Sequence, residues 1–191
     1  PPNIKTSGLA PLKLVPSGDV VEIDGPHFSA CFSHAAGTLT SLRFDGREML
    51  ATNRNAGPIL QLFRAPTDND KGFGKWLARD WRNAGLTNLT RQVDSFTVHQ
   101  PKPGEIQITA IVTSRAKDGG FKMKTFWTVR GDGTLDMDNT FVPFGTLPLL
   151  PRLGVVMRLA PEFENVRWLG RGPWENYSDR KDCRSMGVWS S

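Results

Sequence analysis

The 191-residue chain is 38% hydrophobic and 23% charged, proportions that supply a globular core and argue against wholesale disorder. Its net charge of +5 arises from Lys and Arg dispersed among Asp and Glu, and the densest run, Asp179-Arg180-Lys181-Asp182, is of mixed sign, so the clustering a nucleic-acid partner requires is missing. No apolar run approaches the roughly 20 residues needed to span a bilayer, which points to a soluble chain with no membrane partner and leaves the compartment, cytoplasmic or periplasmic, open.

Residues 1–18, with Pro1, Pro2, Pro11 and Pro16, read as an extended linker, and residues 19–191 as one β-sandwich domain. Short β-branched and aromatic runs bounded by Gly, Pro, Asn or Asp then recur, the pattern of antiparallel strands. Val20 to Ile23, Phe28 to Ser33 and Leu39 to Phe44 open the series; Asp45-Gly46 reads as a hairpin turn, with Arg47 to Leu50 as the return strand. Only Lys75 to Ala84, closed by Gly85, has a helical reading, with Trp76, Leu77, Trp81 and Ala84 as a short apolar stripe.

The strongest alternation lies in Glu105 to Ser114, where Ile106, Ile108, Ala110 and Val112 share one face. Phe121, Met123, Thr125 and Trp127 repeat it against Lys122 and Lys124, and Gly131-Asp132-Gly133 turns the chain into Leu135 to Phe144. Asp136, Asp138 and Thr140 fall on one face of that strand and read as a solvent-facing row, the alternative being carboxylates that flank a sugar. Runs of strands without alternating helices give an all-β fold, a large antiparallel β-sandwich with at most one short helix.

Two segments are unlike generic strand-and-turn sequence. In Leu62 to Gly72, Arg64-Ala65-Pro66 leads into Asp68-Asn69-Asp70 before a glycine turn. Such a loop serves as a braced turn with Arg64 paired to Asp68 or Asp70, or as a site for a cation or sugar hydroxyls. A calcium loop is disfavoured, because Gly72 occupies a ligand position and Arg79 stands where a bidentate Glu is required. In Leu169 to Lys181, glycines and Pro173 alternate with Arg171, Trp174, Glu175, Asn176, Tyr177, Asp179 and Arg180, so that one loop projects several charged groups. Pro173 and Glu175 break any dinucleotide fingerprint. Glu175 and Asp179 sit too close along one loop to face each other across a glycosidic bond, as a retaining pair must.

At these residues the chain resembles the family 2 β-galactosidases. Arg-Ala-Pro-Thr-Asp-Asn-Asp (64–70) is similar to a motif near the start of their C-terminal small domain, and Gly-Arg-Gly-Pro-Trp-Glu-Asn-Tyr-Ser-Asp-Arg-Lys (170–181) to that domain's signature. The resemblance implies a supersandwich of the galactose-mutarotase-like kind, packed on a catalytic barrel and on other domains of the same enzyme. It places the catalytic glutamates and a magnesium ion in the barrel, so no catalytic residue, metal ligand or cofactor is expected in this chain, and the isolated chain is expected to be inactive. It also implies that this chain is the earlier part of the small domain, incomplete at its C-terminal end, and touches the galactoside only indirectly. The expected interface or sugar-proximal residues are Arg64, Asp68, Asn69, Asp70, Arg171, Trp174, Glu175, Asn176, Tyr177, Asp179 and Arg180. Free strand edges would favour self-association.

Two alternatives stand beside this reading. An independent carbohydrate-binding module would use exposed tryptophans; Trp127 and Trp168 read as core, whereas Trp76, Trp81 and Trp174 are open between interface and sugar platform. An aldose epimerase would need an acid and a base at the anomeric carbon, yet His27, His34 and His99 fall at turns and strand ends. Cys31 and Cys183 match no metal-ligand spacing, and a bridge or two free thiols both fit.

Overall fold

The structure is a computed structural model that describes residues 8–52, 56–72, 76–174, 182 and 185–191. The chain forms two compact units, one running to Arg158 and the other covering Leu159–Ser191, where the sequence reading drew a single sandwich.

The first unit opens with a five-stranded antiparallel sheet in the order β1 (Lys13–Ser17), β2 (Val20–Asp24), β3 (Phe28–Ser33), β4 (Thr38–Phe44) and β5 (Arg47–Glu48). β1 lies inside the stretch read as linker. Leu12, just before it, is buried, and its N–H donates to the Pro103 carbonyl at 2.7 Å, so this segment is part of the core despite its prolines. Asp45 and Gly46 both take positive φ, 48° and 78°, the geometry a two-residue hairpin turn demands. β5 is shorter than expected because the Glu48 carboxylate accepts the Leu42 and Leu50 N–H groups at 3.0 and 3.1 Å, diverting donors from the ladder.

β6 (Ile59–Gln61) pairs later with β11 (Gly154–Val156). Between β6 and the second sheet the chain makes a 3₁₀ turn, Asp68–Lys71, and one α-helix, α1 (Leu77–Asn83). The expected first helical residue, Lys75, lies outside the described residues. Gly85, at φ +75°, lets the Leu86 N–H reach back to the Trp81 carbonyl at 3.1 Å and close the helix.

The second sheet is a four-stranded antiparallel meander of β7 (Thr90–Lys102), β8 (Glu105–Arg115), β9 (Gly119–Arg130) and β10 (Leu135–Gly145). Its inner face supports two cores. Ile106, Ile108, Trp127 and Val129 pack with Ile23, Phe28, Ala30, Phe32 and Leu39 of the first sheet, with Phe32 and Trp127 edge-to-face at 5.4 Å. Phe121 and Met123 pack instead with Leu60, Leu62, Ala78, Trp81 and Leu86. Asp136, Asp138 and Thr140 do fall on the opposite, outward face, with Asp138 and Thr140 exposed.

The second unit is built on a β-ribbon, β12 (Arg167–Gly172) with β13 (Ser185–Ser190). Cys31 is a free thiol on β3, and Cys183 lies outside the described residues. No helix among the described residues is long and apolar enough to cross a membrane.

Candidate functional site

The 62–72 segment divides its polar residues between two sides. Arg64 and Asp70 turn inward: the Asp70 side chain is only 9% exposed, and the two Arg64 terminal nitrogens donate to its two oxygens at 2.6 and 3.2 Å. Thr67 completes the cage, donating its N–H at 2.7 Å and its hydroxyl at 2.9 Å to the same carboxylate oxygen. The Thr67-x-x-Asp70 spacing is a capping arrangement that ties the start of the 3₁₀ turn to its third residue. These donors, the Arg64 guanidinium foremost, hold the Asp70 carboxyl down at about 2 from its ordinary 3.8, against the opposing pull of burial.

The cage rests on Trp81. The Arg64 guanidinium lies 5.3 Å above its ring, Phe63 meets it edge-on at 6.4 Å, and its indole N–H donates to the Leu149 carbonyl at 2.8 Å. Trp81 is 2% exposed, which corrects the expectation that left it open as a sugar platform: it is core. Asp68 and Asn69, by contrast, are exposed, and Asp68 meets Lys71 at 3.5 Å. Trp76, just ahead of α1, is 52% exposed. The structure therefore brings Arg64 and Asp70 together and sends Asp68 and Asn69 outward. Sequence reading missed Thr67, Trp81 and Phe63 as braces, although the capping spacing was there to be read.

The other charged segment begins as strand rather than loop, since Leu169 to Gly172 belong to β12. Its glycines have a local use. Trp189 of β13 lies across the ribbon, donating its indole N–H to the Gly170 carbonyl at 3.0 Å, and a Cβ on Gly172 would stand 2.6 Å from that ring. Arg171 projects from the other face of the ribbon, and Trp174 is 69% exposed. Trp168 is half-buried on the same face as Trp189. Glu175, Asn176, Tyr177, Asp179 and Arg180 lie outside the described residues.

Elsewhere, the carboxyls displaced from their ordinary range move downward. Glu48 is lowered, against burial, by the Ser41 hydroxyl and the Leu42 and Leu50 N–H groups; Asp94 by the Thr113 hydroxyl; Asp132 by the Thr134 N–H. Asp136 on the outward face accepts from Arg130. His27, His34 and His99 are all exposed, His27 near Asp45 and His34 against the Phe96 ring. Among the described residues there is no cluster of three or more metal-ligating side chains.

With this geometry in view, comparison with known proteins gives a consistent answer. Residues 24–191 match the family described as Beta galactosidase small chain. The chain belongs to that family. Among curated relatives of this small-chain member, a β-galactosidase of Halalkalibacterium halodurans is 34% identical over 174 residues, which is 88% of this chain and 16% of the relative. One from Enterobacter cloacae is 34% identical over 170 residues, 83% of this chain and 16% of the relative. A third, from Priestia megaterium, is 30% identical over 190 residues, covering 98% of this chain and 17% of the relative. The small-chain match contains both charged segments whole, so the Arg64–Asp70 cage and the β12 glycines stand within the family region.

Proposed function

We propose that this chain is the non-catalytic β-sandwich portion of a β-galactosidase that hydrolyses terminal β-galactosides, packing on the catalytic barrel and contributing to carbohydrate binding at its rim. The observation that carries this reading is the fate of Asp70: the inward carboxyl of the first motif is held by Arg64 and Thr67 as an anion at neutral pH, its pKa drawn down to about 2. A glycosidase acid needs a carboxyl raised toward neutrality so that it holds a proton to give. Asp70 is tuned the opposite way, as a brace that fixes the outward presentation of Asp68 and Asn69. In this proposal the catalytic glutamates and the magnesium ion belong to the barrel, the fold extends to a galactose-mutarotase-like supersandwich, and the partners are the enzyme's other domains, with the galactoside reached through them. The exposed rings of Trp76 and Trp174 support a contact role for the regions around both motifs, because sugars and neighbouring domains alike pack on aromatic faces.

The test is complementation. The chain is mixed with a β-galactosidase lacking the corresponding segment, and hydrolysis of a chromogenic galactoside is followed. Activity restored by the mixture and absent from the chain alone is the expected result. Activity of the chain alone, abolished by changing one of its own carboxylates, would overturn the proposal.

A further inference from the structure

One cavity of about 310 Å³ lies beside the start of the first charged segment, bounded by β6 with Leu62 and Phe63, by residues 86–91 and by the end of β11. Its lining carries two guanidinium groups, Arg91 and Arg158, together with Gln61, Thr87 and Asn88, and no Asp or Glu among the described residues. Arg91 is the unusual member. One terminal nitrogen donates to the Ala36 carbonyl at 3.0 Å, while its Nε is closed off from solvent without a hydrogen-bond partner among the described residues. Burial lowers its pKa. A partly buried guanidinium whose Nε is sealed from solvent and unbonded is costly unless an anion meets its remaining donors. The Gln61 side-chain oxygen accepts from Arg152, a residue outside the lining, at 3.1 Å.

We propose that this cavity is a binding site for a small-molecule oxyanion, a phosphate or a carboxylate, anchored by Arg91. Guanidinium forks match the paired oxygens of both groups. The volume stands at the small end of ligand pockets, so the occupant is of monosaccharide size or less. Arg158 adds positive charge, and Thr87 and Asn88 supply neutral polar groups for the remainder of the ligand. The site does not rest on the galactosidase reading, since none of its polar lining residues, Gln61, Thr87, Asn88, Arg91 and Arg158, belongs to either charged segment.

The experiment is a titration of the full chain with inorganic phosphate and, separately, with a hexuronate, at ionic strength held constant with chloride. Binding is read by calorimetry and by amide chemical shifts. Saturable one-to-one binding of at least one probe is expected, with the largest shifts at Leu60–Phe63 and Leu86–Leu89; which probe saturates separates phosphate from carboxylate. R91M is expected to weaken binding about tenfold or more, and R91K by less, because Lys keeps the charge and loses the fork. Absence of saturation above chloride, or equal affinity in R91M, would overturn the site. Should R91M fail to fold, the shift map of the unaltered chain decides: shifts gathered at the cavity sustain the proposal, and shifts elsewhere refute it.

Discussion

At Asp70 a guanidinium, a hydroxyl and a backbone N–H converge on one carboxylate, and the energetic consequence follows from that geometry. The folded-state value of about 2 lies below the ordinary 3.8, so between those values the unfolded chain binds more protons than the folded one. The stabilisation is therefore complete above about pH 4 and drains away as pH falls toward 2. Replacing Asp70 by Asn should cost about 2 kcal/mol at neutral pH, because Arg64 keeps its charge and loses this carboxylate. Urea titrations from pH 7 to pH 2 would show the native chain losing that increment on acidification while D70N shows a flatter profile. Trp81→Phe tests the support beneath: without the indole N–H the Leu149 carbonyl is left without this donor, at about 1 kcal/mol, measurable by the same denaturation. Pairing of Arg64 with a nearby aspartate was legible from residue types alone. Which aspartate was not, because Asp68 and Asp70 differ only in the side of a 3₁₀ turn they occupy, and that turn is set by Thr67.

Among the secondary-structure elements, β8, β9 and β10 could be read directly, since β8 with β9 and β9 with β10 pair without a register shift and the two-residue period is kept. The longest strand, β7, could not. Its register shifts between Val93 and Ser95 and again between His99 and Lys102, and each shift breaks the two-residue period that sequence reading depends on. The same irregularities, with Pro101, make β7 a poor template for another chain, whereas β10 forms the opposite edge of the sheet without a register shift. Sedimentation of the isolated chain should show self-association; a uniform monomer with β10 fully protected from hydrogen exchange would contradict this. Close backbone approach is a second feature that strand patterns conceal. A Cβ on Gly57 would stand 1.8 Å from the Leu39 carbonyl oxygen, whereas one on Gly46 meets nothing within 4 Å and is opposed only by its positive φ. Gly57→Ala should cost about 1–3 kcal/mol through displaced packing, and Gly46→Ala about 1 kcal/mol through backbone strain, a contrast that thermal unfolding of the two variants would resolve.

For the molecule as a whole, β9 is common to both cores of the first unit: Trp127 and Val129 serve one, Phe121 and Met123 the other. Truncating Phe32 to Ala, on the far side of the first core, should cost about 3–5 kcal/mol. That loss should appear equally when unfolding is followed at Trp127 and at Trp81. A strand that is the party wall of two rooms lets neither room collapse in private: a neighbour or ligand that braces one end of the sheet stiffens the other, and damage at either end is felt along the whole beam.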